Sequence, residues 1–142
     1  RFGPDCRLKN CMVSAGSLIR GTVINSVLSP GVIVEEGAVV KDSILFEDCV
    51  VKEGAVVDLA IMDKRVQVGM NATIGFGDNH TCANRRKPSH LYTGITLVGK
   101  GARIPNEQKI GRNCVIDSGV PESFFPGRVL EDGESLLNSD ES

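Results

Sequence analysis

Val23, Val40, Val57 and Ile74 are each 17 residues apart, and the same interval joins Leu28, Leu45 and Met62 and, again, Val34, Val51 and Val68. A chain that keeps a fixed period stacks copies of one unit, so that each copy buries its apolar side only against its neighbours. Each row divides into segments of five, six and six, every one opening on an aliphatic residue. Two positions before these aliphatics stand compact, uncharged residues: Ser26, Val32, Ala38, Ser43, Cys49, Ala55, Ala60, Val66 and Ala72. The pattern starts at Leu8, Val13 and Ile19, with Cys6, Cys11 and Ser17 at the same offset, and resumes as Val98, Ile104, Ile110 and Ile116 at a period of six.

Residues two apart on an extended segment share a face, so the compact residue and the following aliphatic both point inward. Pro30-Gly31, Glu36-Gly37, Glu53-Gly54 and Met70-Asn71 supply corners between short strands. The expected fold is all-β, a parallel β-helix of three-sided coils built from hexapeptide repeats; a β-sandwich has no reason to hold a 17-residue register. Counting from Leu8 gives about six coils, a prism about 30 Å tall at ~4.8 Å per coil. The expected boundaries are residues 1–123 for the β-helix, with a projecting loop at 76–90, and 124–142 for a C-terminal cap and acidic tail. Phe124, Phe125, Val129 and Leu130 form the cap in this reading. The other end opens abruptly at Arg1, which reads as a fragment whose first coil another domain covers.

Only 4% of the residues are aromatic, so the core is aliphatic and a nucleic-acid module that stacks bases is not expected. The net charge of −2 gives no global field for DNA or a membrane surface. No apolar run approaches a membrane span and Arg1 to Arg7 does not read as a signal peptide, so the expected compartment is the cytoplasm. Of five cysteines, Cys6, Cys11, Cys49 and Cys114 fall at compact inward positions and read as core spacers. Cys82 lies in the loop with Asp78, His80 and His90, a set whose spacing fits no zinc pattern, and no metal is expected. Gln108 breaks the small-residue rule at an inward offset.

Charge is uneven: residues 1–63, 64–112 and 113–142 carry balances of −3, +7 and −6. The middle section could gather Lys64, Arg65, Arg85, Arg86, Lys87, Lys100, Arg103, Lys109 and Arg112 on one or two faces, suited to a phosphate or carboxylate. The alternative is a solvated surface partly neutralised by Glu131, Asp132, Glu134, Asp140 and Glu141. No nucleophile elbow, paired catalytic carboxylates or phosphate-binding glycine loop appears. Gly99-Lys100-Gly101 is a weak lookalike of the last and reads better as the opening of a hexad.

Ser29-Pro30-Gly31, Ala60-Ile61-Met62-Asp63-Lys64 and Gly94-Ile95-Thr96-Leu97-Val98, within the runs Val13–Lys64 and Thr93–Pro105, resemble the C-terminal β-helix of the glucose-1-phosphate adenylyltransferase family, bacterial type. The resemblance covers most of the chain and implies that the β-helix is left-handed. It implies a parent enzyme whose separate N-terminal domain joins ATP, with Mg²⁺, to glucose 1-phosphate, giving ADP-glucose and pyrophosphate for glycogen or starch. That catalytic domain is not in this chain, so no catalytic residue, metal or cofactor is expected here. What carries over is docking on that domain, assembly of a homotetramer or pairing with a related subunit, and binding of small anionic effectors. Lys64 and Lys100 match the family's effector lysines; Arg85 and Arg86 are weaker candidates. Two rivals remain: a hexapeptide acyltransferase using acyl-CoA with His80 or His90 as base, and a non-catalytic regulatory subunit of a sugar-nucleotide pyrophosphorylase.

Overall fold

The computed structural model describes residues 1–4 and 6–138. Among the described residues nineteen short strands stack as three parallel sheets, one per side of a triangular prism. The first face carries β1 (Arg7–Lys9), β4 (Thr22–Ile24), β7 (Val39–Lys41), β10 (Val56–Asp58), β13 (Thr73–Ile74), β16 (Lys109–Ile110) and β18 (Val129–Leu130). The second carries β2 (Met12–Val13), β5 (Val27–Leu28), β8 (Ile44–Leu45), β11 (Ala60–Met62), β14 (Thr96–Val98), β17 (Val115–Ile116) and β19 (Ser135–Leu136). The third carries β3 (Leu18–Ile19), β6 (Ile33–Val34), β9 (Val50–Val51), β12 (Gln67–Val68) and β15 (Arg103–Ile104), with Phe2 bridging to Ile19 above it.

The 17-residue period is the register itself: Val40 pairs with Val57, Ile44 with Ile61 and Val34 with Val51. The predicted aliphatics from Ile19 onward form three buried columns, among them Val23, Val40, Val57 and Ile74 on the first face and Leu28, Leu45 and Met62 on the second. All nine compact residues between Ser26 and Ala72 are buried. Those after the first corner do more than fill space. Ser26 Oγ donates to the Ile24 carbonyl at 2.7 Å and accepts the Ser43 N–H at 3.1 Å, and Ser43 Oγ repeats the arrangement with the Lys41 carbonyl and the Ala60 N–H. A hydroxyl there satisfies backbone groups where the ladder turns, which a bare spacer leaves unpaired.

The corners turn through the left-handed region of backbone space, including Gly31, Gly37, Gly54 and Asn71 as expected. Between the first and second faces the column is Asn10, Asn25, Asp42 and Leu59, then Gly75, Asn113 and Gly133. Asn and Asp tolerate this conformation and link their levels: Asn10 Nδ2 donates to Asn25 Oδ1 at 2.8 Å, and Asn25 Nδ2 to Asp42 Oδ1 at 3.3 Å.

Two expectations change. The count of about six coils rises to seven levels on the first and second faces, because Val129–Leu130 and Ser135–Leu136 continue the sheets that the sequence reading closed with a cap. Val129 and Phe124 face outward while Leu130 is buried and Phe125 packs partly on the core. The last two steps, Ile110 to Leu130 and Ile116 to Leu136, are 20 residues long and hide the period that this level continues. The segment from Gly75 to Ile95 contains no strand, yet it does not project freely; it folds back on the corner below it. Of the acidic tail, Asp140 and Glu141 lie outside the described residues.

Candidate functional site

Lys64 follows β11 and Lys100 follows β14, and the pairing of Met62 with Val98 sets the two lysines on successive levels of the corner between the second and third faces. Gly101 N–H donates to the Lys64 carbonyl at 2.9 Å, and Gly119 N–H to the Lys100 carbonyl at 2.8 Å. Both side chains are exposed. Beside Lys64 opens a groove of about 470 Å³ with an apolar floor of Phe46, Ile61, Leu97 and Val115 and a rim of Asp63, Lys64, Asp117 and Ser118. Glu47 stands one level above Lys64, where its carbonyl accepts the Arg65 N–H at 2.9 Å. Lys64, Arg65 and Lys100 therefore share the corner with Glu47, Asp48, Asp63 and Asp117. An anion held here by this chain alone would meet little net positive charge, so a strong site needs basic groups from elsewhere. Gly99 has a structural role: a Cβ there would collide with the Ser118 backbone nitrogen, leaving the Gly99-Lys100-Gly101 lookalike as coil packing.

Arg85 and Arg86 are not part of this corner. Arg85 N–H donates to the Gly133 carbonyl at 3.0 Å and its guanidinium pairs with Glu134 at 3.2 Å, placing it at the opposite edge of the second face, between the first and second faces. The anticipated gathering of the basic section into one or two faces does not occur. Arg103 lies on the third face, donating to Gln67 Oε1, and Lys109 lies on the first, 5.2 Å over the Phe76 ring. Arg112 is inside: only 6% exposed, it donates from Nε to the Gly77 carbonyl at 2.7 Å and from Nη2 to Asp58 Oδ2 at 2.9 Å. The period alone could not separate these outcomes, because outward and corner positions carry no hydrophobic signature.

What sequence reasoning missed is the group that seats the loop. Asn113, fully buried and in the left-handed region, donates from Nδ2 to the carbonyls of His80 and Cys82 and accepts the Gly94 N–H at 2.7 Å, gripping both limbs of the insertion. Asn84, also fully buried, donates to the Asn113 carbonyl and Ser135 Oγ and accepts the N–H groups of Arg86 and Lys87. The available signal was an asparagine at the corner slot of a hexad directly below an insertion.

His80 and His90 are exposed; His90 Nδ1 lies 3.2 Å from Ser89 Oγ, and no carboxylate orients either ring within hydrogen-bond reach among the described residues. Cys82 Sγ faces the Asp132 carbonyl at 3.6 Å. No group of three His, Cys, Asp or Glu side chains among the described residues is placed to hold a metal. Burial pushes the thiols of Cys49 and Cys114 up to about 11, leaving them protonated and inert near neutrality. Gln108 is buried and donates from Nε2 to the Lys109 carbonyl at 3.3 Å. Among the described residues no helix is long and apolar enough to cross a membrane.

The family model described as GlmU-like, C-terminal hexapeptide, matches residues 3–98. The chain is 41% identical over 142 residues to the glucose-1-phosphate adenylyltransferase of Acetivibrio thermocellus, covering 99% of this chain and 33% of that protein. To the enzyme of the same name from Thermomicrobium roseum it is 52% identical over 131 residues, covering 81% of this chain and 30% of the relative. The chain thus spans about a third of the length of these curated relatives, and matches their C-terminal portion. Among solved structures, the acetyltransferase domain of PglB from Neisseria gonorrhoeae FA1090 in complex with acetyl coenzyme A superposes with a TM-score of 0.56 at 20% identity, covering 94% of this chain and 52% of that one. At that identity the likeness is one of fold.

Proposed function

This chain belongs to the GlmU-like C-terminal hexapeptide family, and from that premise we propose that it is the regulatory and assembly β-helix of a glucose-1-phosphate adenylyltransferase. The observation that carries the reading is the 41% identity along 99% of the chain to an enzyme of that name. In this reading the preceding two thirds of the polypeptide perform the transfer in the cytoplasm, with Mg²⁺ and ATP held there, and give ADP-glucose and pyrophosphate. The β-helix is itself non-catalytic. It docks on the catalytic part, takes part in a homotetramer or a pairing with a related subunit, and contributes Lys64 and Lys100 to a site for a small anionic effector.

The placement of the two lysines on adjacent levels supports a shared anion, and the carboxylates around them explain why the pocket would be completed by cations of the catalytic part. A sugar phosphate or small carboxylate bridging the two parts shifts the balance of their arrangements only by its difference in affinity between them. Arg85 and Arg86, at the other edge of the face, would belong to a separate contact.

The test is ADP-glucose synthesis by the full-length protein from ATP and glucose 1-phosphate, with and without fructose bisphosphate, fructose 6-phosphate, pyruvate or 3-phosphoglycerate. Effector-sensitive activity is expected. Lys100→Ala should raise the activator concentration needed for half-activation by about tenfold, the loss of one charge-assisted contact of ~1.5 kcal/mol, with unactivated turnover unchanged. An unaltered activation curve in Lys64→Ala and Lys100→Ala removes the effector role. Absence of synthesis under every condition removes the enzyme reading.

A further inference from the structure

Inside the insertion a smaller loop is pinched off. Asn84 and Leu91, both buried, form its neck, where the Asn84 N–H donates to the Leu91 carbonyl at 2.9 Å. The residues between them, Arg85-Arg86-Lys87-Pro88-Ser89-His90, are all exposed, a compact surface loop whose ends meet on a rigid base. Asn84 sets that base by accepting the Arg86 and Lys87 N–H groups at 3.0 and 3.1 Å. The loop holds three fixed positive charges and no carboxylate. Arg85 pairs with Glu134 at 3.2 Å, whereas Arg86 and Lys87 have no acidic partner among the described residues. Ser89 is the one hydroxyl of the loop. Of all the serines and threonines in the chain it alone has an Arg or Lys three positions before it, and further cations stand two and four positions before. Other hydroxyls are withdrawn from the surface or locked in a sheet: Ser17, Ser26, Ser43 and Thr96 are buried, and Thr22 and Thr73 lie in strands.

We propose that Ser89 is a phosphorylation site, the acceptor for a serine/threonine kinase that selects its substrate by the cations just ahead of the hydroxyl. The site stands apart from the enzyme reading and does not depend on it. Kinases discriminate substrates by charge pattern along a short exposed run, and Arg86 to Ser89 puts the cations and the acceptor on one such run. Ser89 Oγ has only the His90 Nδ1 beside it, at 3.2 Å. Drawing the run into a cleft breaks hydrogen bonds of the insertion itself: His90 and Leu91 N–H to the Lys87 carbonyl, and Arg86 and Lys87 N–H to Asn84 Oδ1. No strand has to move. In the transfer Ser89 Oγ bonds to the γ-phosphorus of ATP as the bond from that phosphorus to the bridging oxygen breaks; ADP leaves and the hydroxyl proton passes to the kinase's base. The product brings about two negative charges into the loop. It then competes with Glu134 for Arg85, so the modification acts on the tie between the insertion and the last coil.

The test incubates the full-length protein with ATP, Mg²⁺ and the catalytic subunit of the cyclic-AMP-dependent protein kinase, which favours basic residues two and three positions before its serine, and follows peptide masses over time. An addition of about 80 Da, one phosphoryl group, is expected on the peptide that holds Ser89. Ser89→Ala should lower incorporation into that peptide at least about tenfold, and Ser89→Thr should retain it. Arg86→Ala should slow the initial rate about tenfold, while Arg128→Ala, which removes an exposed cation far from the loop in sequence, should leave it unchanged. Each substituted side chain is exposed, so equal urea midpoints across the set separate lost recognition from lost folding. No addition on the Ser89 peptide overturns the proposal. An addition that persists in Ser89→Ala, or that forms at the same rate without Arg86, overturns it equally.

Discussion

The coils from Thr22 to Ile74 and the corner below them hold their backbone turns by opposite means. In the regular coils the turn residues stand at the surface, and Asn25 reaches only the side chains of its counterparts one level above and below. At the level of the insertion, Asn113 occupies the same slot but is fully buried, and its amide reads three backbone groups of a chain segment 19 to 33 residues earlier. Repetition makes each coil a copy supported by its neighbours; an interruption has no copy to lean on and is held by polar groups that must all be satisfied. Arg112 belongs to the same economy, joining Asp58 above to Gly77 in the loop, with Nη1 buried and without a protein partner among the described residues.

Four experiments break or sharpen this contrast. Leu45→Ala, in the middle of the regular columns, should cost about 2–5 kcal/mol in urea unfolding, the range for emptying a buried leucine site. Arg112→Met should cost about 3 kcal/mol by leaving Asp58 and the Gly77 carbonyl unpaired. Adding Asp58→Leu should recover more than half of that loss, and trypsin should cut after Arg85 or Arg86 in the single variant while the coils above stay resistant. If the double variant is no better than the single, Arg112 acts through packing alone. Asn113→Ala against Asn25→Ala is the direct comparison: about 2–3 kcal/mol is expected for the first, which strands the buried Gly94 N–H and two part-buried carbonyls, and under about 1 kcal/mol for the second. Equal costs would mean that burial of the corner adds nothing.

The effect that is smallest near neutrality should be shared by both regions. Cys49 in a regular coil and Cys114 at the anchored corner are each pushed up to about 11, from an ordinary value of 9.0, because burial disfavours the thiolate. An unfolded chain releases these protons first. The stabilisation is therefore complete below pH 9 and declines as pH rises toward 11, by about 1.4 kcal/mol per pH unit for each thiol. Cys49→Ala and Cys114→Ala should each flatten the alkaline fall of the urea midpoint to the same degree; a midpoint insensitive to either substitution would show that neither thiol is held protonated.

The regular coils were legible because their information is periodic. Val23, Val40, Val57 and Ile74 announce the columns, and Gly31, Gly37, Gly54 and Asn71 announce the turns. Lys64 and Lys100 come from the family resemblance and not from the period; the structure sets them on successive levels because each follows the inward residue of its strand, Met62 or Val98, by two positions. Arg112, Asn113 and Asn84 were not legible. Their partners lie 19 to 54 residues away across a segment with no period, and an arginine and two asparagines in a polar stretch look like surface. The final coil was lost because 20-residue steps replaced 17-residue ones while the inward pattern of Leu130 and Leu136 persisted in only one residue each.

The pairing of Met62 with Val98 spans 36 positions of sequence, whereas that of Leu45 with Met62 spans 17, yet both strands advance the prism by one level. Contour length and axial length are thereby uncoupled. The coil stack works as a ruler whose divisions are turns and not residues, so the segment leaving at Gly75 and returning at Thr96 can lengthen or shorten outside its anchor at Asn84 while β15, β16 and every strand after them stay at the same level below Arg1.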